Sequence, residues 1–426
     1  MMQDVSESPA VDGSITQLAD SEDNDAGNGT GLQENQEAAP EEGSSNGGGS
    51  GSSSPEPPEP WSPRYTATFS EHVVKDGAAV TFTIIVKQND LTIQVLQRVY
   101  EDFEYLEHCV ITDQPSDGII VPPLPARPTT DAALTETTSK KHMGKGSKTL
   151  LADNFQKNRL QLQRYLELLL SHPVLGRSNR LESFLTVKQA PPRAKMKRGL
   201  LAKLSDSLET RRAVVPDCEE FFQRERAWIT RALPLTLQFD AAFHQFIYAN
   251  QRLLQQSEYM VTALRLFAGP SNTKHECSEM AQLTHAVSVF IQAMETNRME
   301  GESELLEVEC SSGAGVELWR RQMEAEGSML QGRTTLLLSY QHCNRALDKA
   351  KPNRKEAAEK AKKGAEEAFE SCSDVARHEI KRLHRIRCAE LTELLLQYGR
   401  LQLAAATRRR AVLATALTAI KADGQA

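Results

Sequence analysis

The second half of the chain carries apolar side chains at three- and four-residue spacing over far longer stretches than an ordinary globular helix. The pattern predicts three long helices, over about 216–266, 273–349 and 354–420. Pro234 should kink the first, the small residues at 311–315 should interrupt the second, and Pro352 should end it. Helices of this length form coiled coils or elongated bundles, and a second copy would cover the apolar flank that one copy leaves exposed.

Ahead of the long helices, residues 61–188 carry a period-two pattern that is typical of half-buried strands. Strands are predicted at 65–69, 80–86 and 92–99. Gln88-Asn89-Asp90 reads as a tight hairpin turn between the second and third strands. The pattern therefore favours a small antiparallel sheet.

Helical spacing returns after the third strand. Helices are predicted to begin near Phe103, to run over 154–171, and to close the unit with Leu181, Phe184 and Leu185. The intervening stretch 119–128 is stiffened by proline, and the polar stretch 129–148 is expected to be an exposed, solvated loop.

Two flanking segments complete the organisation. Residues 1–60 hold 13 acidic and no basic residues and are rich in Gly, Ser and Pro, which predicts a disordered acidic tail. Residues 189–213 are expected to be a linker with an amphipathic helix. Its apolar stripe and basic flank include Met196, Lys197, Leu200, Leu201, Lys203, Leu204 and Leu208. Such a helix suits a membrane interface or docking on its own protein, and its place before the long helices favours the membrane.

Basic residues crowd around the break at Pro352, and we call this set the hairpin-end cluster. It consists of Arg345, Lys349, Lys351, Arg354, Lys355, Lys360, Lys362 and Lys363. A second group on the third long helix comprises Arg377, Lys381, Arg382, Arg385 and Arg387. Cations at the end of a helical hairpin can grip anionic lipid, although charge runs on long helices are often only solvated faces or salt-bridge partners. Neither group has the interleaved aromatic residues of a nucleic-acid surface.

Several classes of protein are not supported. No Gly-rich phosphate loop, G-x-S-x-G motif or metal-spaced His/Cys set is present, so we predict a non-enzymatic protein without metal or cofactor. The seven cysteines are scattered, which predicts reduced, buried thiols in a cytosolic protein. No apolar run approaches the length of a bilayer span, and the first residues do not form a signal peptide.

The order of three strands, a helix, a proline-rich loop and a helix ending in His-Pro-x-Leu resembles the PX (phox-homology) domain. The second half resembles the BAR domain, so the chain resembles a PX-BAR sorting nexin, most of all the subgroup of sorting nexins 5, 6 and 32. The motifs that carry the likeness are Glu101-Asp102-Phe103, Gly118-Ile119-Ile120-Val121-Pro122-Pro123, Asp217-Cys218-Glu219-Glu220-Phe221-Phe222 and Asn344-Arg345-Ala346-Leu347-Asp348-Lys349-Ala350. The implied fold is an α+β PX domain at 61–188, with a three-stranded antiparallel sheet plus helices. An all-α, elongated BAR three-helix coiled coil follows at 214–426.

The resemblance also implies where a phosphoinositide would bind. In the PX family, an arginine directly before the aromatic residue holds the 3-phosphate, and here Val99 precedes Tyr100. A second family arginine falls at Asn158, next to Arg159, and the loop lysine falls at Arg127. A valine cannot bind phosphate, so the pocket is expected to be degenerate. The alternative is a register shifted by one residue, in which Arg98 or Arg159 binds the phosphate.

The function that the resemblance implies is that of a peripheral protein of early endosome membranes and tubules. It would sense or stabilise curvature as a BAR dimer, pair with a sorting nexin 1 or 2 type protein, and retrieve cargo to the trans-Golgi network. Retromer, dynactin and cargo tails are further implied partners. The subgroup's long inserted hairpin after the proline loop is replaced here by a shorter polar segment. A conventional phosphatidylinositol 3-phosphate reader of another PX-BAR subgroup, and a coiled-coil scaffold without membrane contact, are the alternatives.

Overall fold

The computed structural model of the chain describes residues 61–77, 79–113, 116–143, 155–191, 217–269 and 278–423. These form a sheet with four helices, followed by much longer helices. None of the described helices combines the length and the hydropathy that crossing a bilayer requires. The predicted acidic tail at 1–60 and the predicted amphipathic helix at 194–212 lie outside the described residues.

The sheet has three antiparallel strands in the order β1-β2-β3, as the sequence predicted. They span Thr66–Asp76 (β1), Ala79–Gln88 (β2) and Leu91–Val99 (β3). Gln88 pairs with Leu91, and the two residues between them, Asn89 and Asp90, have φ values of 49° and 62°. Positive φ at both positions is what a two-residue hairpin turn needs, and Asn and Asp tolerate it best among non-glycine residues.

Four helices belong to this unit, and their bounds are Tyr100–Thr112 (α1), Ala132–Met143 (α2), Gln156–Leu170 (α3) and Asn179–Thr186 (α4). Helices α1, α3 and α4 contact the sheet, whereas α2 contacts the first long helix. One core joins alternate residues of the strands, such as Phe82 and Ile84, to Phe103 of α1, Leu166 of α3 and Leu185 of α4. The alternation read from the sequence is therefore the inward face of the sheet.

The expected exposed loop at 129–148 was wrong for its first part, which forms α2. Asp131 starts this helix, since its carboxylate accepts the backbone N–H of Ala133 at 2.9 Å. The far end is held by tertiary contacts. The ring of His142 stacks on Tyr248 with centroids 3.8 Å apart, and Arg252 donates to the His142 carbonyl oxygen at 2.6 Å. Helix α2 has few apolar residues, so it is stabilised by its N-cap and by contacts with Tyr248 and Arg252. The spacing of its own residues could not predict these contacts.

The long helices are Glu220–Ala268 (α5), Ser278–Val308 (α6), Ala314–Asp348 (α7) and Lys355–Asp423 (α8). Helix α5 packs along α6 and α7, and α8 packs along both of them as well. Pro234 lies inside α5, which continues through it. The chain reverses direction at a single 3-10 turn, Pro352–Arg354. The prediction that Pro352 ends the second long helix is therefore confirmed.

The expected interruption at 311–315 takes the form of a π-helical turn at Glu309–Gly313. The residues on either side, Val308 and Ala314, keep right-handed helical dihedrals, so α6 and α7 form one continuous rod. A Cβ on Gly315 would come within 2.5 Å of Leu394 Cδ1, so this position allows α8 to approach closely. Small residues here therefore permit packing and a local change of helical period rather than a chain break.

The proline-rich loop of the sheet unit is inserted into the long helices. Ile120 is 4% exposed and belongs to the same buried cluster as Ile229 of α5, Met329 of α7 and Ile380 of α8. A Cβ on Gly118 would lie 2.4 Å from the Cys372 carbonyl oxygen of α8. Only glycine permits that approach, so this segment is built to dock on α8.

A buried arginine organises the start of α5. Arg333 of α7 is fully buried, pairs with Asp217 and Glu219, and lies 3.6 Å from the ring centroid of Phe222. It is the hydrogen-bonded centre of the junction of α5, α7 and α8.

The cysteine prediction was correct for burial at Cys109 and Cys372, which are buried free thiols. It was wrong for Cys218 and Cys388, which are free but exposed. Both lie on the solvent side of the helical region, where a small side chain meets no packing demand.

Candidate functional site

The first candidate site is the position where a PX domain would hold a phosphate. Val99 ends β3, and its backbone N–H donates to the Asp102 carboxylate at 2.9 Å in the first turn of α1. Tyr100 follows and is buried, with its hydroxyl donating to the Pro125 carbonyl oxygen at 2.5 Å. Burial raises the pKa of Tyr100 to about 12, so the phenol stays neutral. Neither side chain offers a cation to an anion.

The basic loop position is already engaged. Arg127 donates to Glu101 and to Glu104, both at 2.6 Å, and its guanidinium lies 5.1 Å from the centroid of the Tyr100 ring. Burial lowers the pKa of Arg127, but hydrogen bonds to Glu101 and the charges of both glutamates outweigh it and raise that pKa. A phosphate at Arg127 would therefore have to compete with two carboxylates at hydrogen-bonding distance.

The remaining positions also point elsewhere. Asn158 donates its side-chain amide to the Ala126 carbonyl oxygen at 3.4 Å, and Arg159 donates to the Phe69 carbonyl oxygen and the Gln156 side chain. Arg98, the candidate in the shifted register, is 1% exposed. It donates to the carbonyl oxygens of Phe184 and Val187 at the end of α4. Its guanidinium therefore holds α4 against the sheet and is turned away from a phosphate.

A cavity of about 770 Å³ opens beside Arg127 and Asn158, between the sheet unit and helices α5 and α6. Its charged lining consists of Arg127, Lys157, Glu258, Glu302, Glu309 and Glu317. Burial would raise the pKa of Glu317, but the charges of Lys157 and Arg321 lower it, so this carboxylate is charged. Four carboxylates against two cations disfavour a polyanionic headgroup here.

The second candidate site is the hairpin-end cluster. Seven of its members are exposed and Lys362 is half-buried. Lys363 lies 3.8 Å from Glu367, and both side chains are well exposed, so that pair is weak. The cluster runs from the last turn of α7 through the 3-10 turn into the third turn of α8, which brings the cations together at one end of the long helices.

Three arginines of the second basic group, on α8, are paired, whereas Lys381 and Arg385 are exposed. Arg377 pairs with Glu219 and with Asp374, Arg382 pairs with Glu379 at 3.0 Å, and Arg387 pairs with the buried Glu326 at 2.6 Å. These three arginines join helices to each other or to their own turn. They are structural cations rather than a free anionic-lipid surface.

Sequence reasoning missed a buried hydrogen bond between the sheet unit and the long helices. His172, after α3, is fully buried, and its Nε2 lies 2.9 Å from Glu379 Oε2 of α8. The same oxygen accepts the Ile120 backbone N–H at 3.4 Å and a hydrogen bond from Arg382 at 3.0 Å. Burial alone would raise the pKa of Glu379, but the hydrogen bonds from His172 and Arg382 lower it to about 2. No local pattern marks a pair 207 residues apart.

One cluster has the composition of a metal site. Atoms of Glu225, Glu326 and His384, from three different helices, lie within 4.8 Å of one another. A contact with Glu326 raises the pKa of His384, and Arg387 also pairs with Glu326. His384 and Arg387 both lie beside Glu326, so the carboxylates of this cluster already face basic side chains of the chain itself.

Comparison with known proteins adds independent findings. A family model described as "PX domain" matches residues 86–188. Sorting nexin-32 of the mouse (Mus musculus) is 23% identical over 362 residues, covering 76% of this chain and 84% of that protein. Human (Homo sapiens) sorting nexin-6 is 24% identical over 369 residues, covering 79% and 85%.

Among solved structures, the SNX-BAR protein Mvp1, determined as a tetramer by cryo-electron microscopy, has a TM-score of 0.53 at 12% sequence identity. The match covers 82% of this chain and 99% of that chain. The shared fold is a three-stranded PX unit followed by the long helices of a BAR domain, in agreement with the fold predicted from the sequence.

Proposed function

Because the chain is a PX-BAR sorting nexin of the type of sorting nexins 6 and 32, we propose that it is a non-enzymatic, peripheral membrane-trafficking protein whose lipid contact comes from its BAR helices. It acts on endosomal membranes, stabilises tubule curvature as a dimer, and returns cargo toward the trans-Golgi network. A sorting nexin 1 or 2 type protein is the proposed partner, with retromer, dynactin and cargo tails as further contacts.

The observation that carries this proposal is the contrast between the two candidate sites. The hairpin-end cluster presents exposed cations at the end of the rods, whereas the PX phosphate positions hold Val99, an amide at Asn158 and an already paired Arg127. Each cation near an anionic surface contributes about 1 kcal/mol, so the cluster is a sufficient source of attraction. The PX phosphate positions are not a sufficient source of attraction.

Exposed apolar side chains along the long helices support association with a second BAR chain. They include Leu235, Leu253 and Leu266 of α5, Met299 of α6 and Leu403 of α8, all at least 60% exposed. Rods that leave such residues in water bury them by pairing, and a curved dimer is the form that fits a tubule.

Vesicle co-sedimentation tests the site. Full-length protein is mixed with phosphatidylserine vesicles, beside a variant carrying Lys351→Glu, Arg354→Glu and Lys355→Glu. The variant should bind about 100-fold more weakly, since three reversed cations remove well over 2 kcal/mol of attraction. Arg408→Glu with Arg410→Glu, also exposed and on the same helix, is the matched control and should bind nearly as well as the wild type. Equal binding by the triple variant would place the lipid contact outside the hairpin-end cluster, and no binding by the wild type would favour a scaffold that does not touch membrane.

Calorimetry tests the degenerate pocket. The full chain should give no heat with soluble phosphatidylinositol 3-phosphate, and the double variant Val99→Arg, Asn158→Arg should gain binding because it restores two guanidiniums. Low-micromolar binding by the wild type would contradict the proposal and identify a conventional lipid reader.

A further inference from the structure

Three titratable side chains converge where the long helices α5, α7 and α8 meet, and we call them the junction triad. They are Glu225 of α5, Glu326 of α7 and His384 of α8. His384 Nε2 lies 3.2 Å from Glu225 Oε2 and 3.6 Å from Glu326 Oε1. Because the members come from three helices, no spacing along the sequence could mark them, and the sequence accordingly predicted no metal.

The atoms of the junction triad that lie closest together are also atoms without a hydrogen bond. Glu225 Oε2, Glu326 Oε1 and His384 Nε2 all lack a hydrogen-bond partner in the described part of the chain, and Glu326 is fully buried. Buried polar atoms are nearly always paired. A single partner placed between these three atoms would satisfy all of them at once.

The distances within the junction triad suit a small metal ion. Zn²⁺ binds imidazole nitrogen and carboxylate oxygen at about 2.0–2.1 Å, so its tetrahedral ligand atoms lie about 3.3–3.4 Å from one another. The observed 3.2 Å and 3.6 Å bracket that separation. Three atoms no more than 4.8 Å apart can all lie within about 2.8 Å of one ion, so side-chain shifts under about 1 Å complete the bonds. The ion lies directly between its ligands and needs no cavity of molecular size.

The surroundings of the junction triad hold its ligands in place. Arg387 donates to the other carboxylate oxygen of Glu326, Oε2, at 2.6 Å, and this leaves Oε1 beside His384. Carboxylates that bind a metal are typically hydrogen-bonded in turn by such a neighbour. The ring of Trp228 packs 5.3 Å from the His384 ring. The His384 side chain is 39% exposed, so the site borders solvent and water can supply a fourth ligand.

The nitrogen ligand and the local charge select the cation. Mg²⁺ and Ca²⁺ prefer sets of oxygen ligands, whereas zinc accepts histidine together with carboxylates. Two glutamates and Arg387 leave one net negative charge beside the imidazole, which favours a cation. We propose that the junction triad binds one Zn²⁺ through Glu225, Glu326 and His384 and thereby ties α5, α7 and α8 together.

The position of the junction triad gives the bound ion a structural role. Each ligand lies three or four positions along its helix from a member of the buried cluster that holds Ile120 of the proline-rich loop. The ion therefore stabilises the helices on which the PX unit docks. The triad shares no residue with the hairpin-end cluster, so zinc binding and vesicle binding can fail independently of each other.

The test is equilibrium dialysis of the full-length chain against ZnCl₂. Every sample carries Cys218→Ser and Cys388→Ser, because exposed thiolates also bind zinc. One zinc per chain is expected, with Mg²⁺ binding at least roughly 100-fold more weakly. Co²⁺ in place of zinc should give the intense visible absorption of a tetrahedral site. Saturating zinc should raise the melting temperature by about 3 °C, since an ion that binds only the folded chain stabilises it.

Two variants and a matched control assign the zinc to the junction triad. His384→Ala removes the nitrogen ligand at a half-buried position and should abolish the bound zinc, the cobalt absorption and the rise in melting temperature. Glu225→Gln keeps the shape of the side chain and should weaken zinc binding by more than about tenfold, since even the loss of an outer-shell partner costs that much. His378→Ala, an exposed histidine on the same helix, should bind zinc as the wild type does. No stoichiometric zinc in the wild type, a cobalt spectrum of an octahedral site, or zinc retained by His384→Ala would overturn the proposal.

Discussion

Removing the charge of Glu379 should loosen the PX unit from the rods. The substitution Glu379→Gln keeps an acceptor for the Ile120 backbone N–H, but it replaces the charged partner of His172 and Arg382 with a neutral amide. The substitution therefore removes the negative charge of the side chain and keeps its size and shape. Docking, rather than folding of either part, is the property expected to change.

The magnitude follows from the pKa of Glu379, which falls from 4.5 to about 2 in the folded chain. A shift of that size corresponds to about 3 kcal/mol favouring the charged form, and the side chain is too buried for solvent screening to reduce it much. Because the folded pKa is depressed, this stabilisation is fully present above about pH 4.5 and is lost as the pH falls toward 2. At neutral pH the wild type carries all of it, and Glu379→Gln carries none.

Native-state hydrogen exchange at pH 7 measures the result, because it reports local opening rather than global unfolding. Amides of the docking segment 116–125 should exchange at least tenfold faster in Glu379→Gln, because the hydrogen bond from His172 to a charged group contributes about 1.5–3 kcal/mol to docking. The share of the pKa shift that comes from Arg382 does not count toward docking, since Arg382 lies on the same helix as Glu379. The matched control is Glu393→Gln on the same helix, whose pair with Arg400 is mostly exposed and contributes little.

An equal, small effect of the two substitutions would refute the reasoning, since docking would then rest on Ile120 burial alone. Acceleration spread over the strands as well as 116–125 would also refute it, because the pair would then support the PX core rather than the contact. Acceleration confined to the docking segment and to α8 around residue 379 is the expected pattern.

Three further outcomes are expected from other parts of the molecule. Asp131→Ala should destabilise α2 by about 1 kcal/mol through loss of its N-cap, seen as faster amide exchange in 132–143 with unchanged exchange in α3. Arg333→Ala should lower the free energy of unfolding by about 3 kcal/mol in urea titration, because buried Asp217 keeps only the longer contact with Arg226 at 3.5 Å; a loss under 1 kcal/mol would contradict this. At pH 8 a thiol reagent should label Cys218 rapidly and Cys372 only after unfolding, since burial raises the pKa of the Cys372 thiol to about 11.

The sequence was most informative where one pattern repeats. Alternation at 80–86 and 92–99 predicted paired strands, and Asn89-Asp90 predicted their turn, because backbone preference and side-chain period agreed. The long helices could be predicted because apolar residues repeat at helical spacing over dozens of positions. The loop prediction at 129–148 failed because α2 depends on a capping aspartate and on contacts with α5.

The candidate sites also differ in how far the sequence could predict them. The exposed cations at the hairpin end could be placed from Pro352 alone, since a helical reversal brings its flanks together. The docking contacts of Gly118, Ile120 and His172 could not, because each meets residues more than 200 positions away on α8. The motif 118–123 was read only as a mark of resemblance, yet its glycine and isoleucine have a physical reason in the contact with α8.

The π-helical turn at Glu309–Gly313 has a consequence for anyone assigning coiled-coil heptads to this chain. A π turn accommodates one more residue per turn than the flanking helix, so every side chain after it is rotated by about one residue step, roughly 100°, around the axis. A heptad frame started in α6 and carried into α7 would place buried Met323 and Leu330 at the wrong letters. The rod formed by α6 and α7 thus has two heptad frames, one in α6 and one in α7. Deleting a single residue from 309–313 would merge the two frames and turn one half of the rod away from its partners.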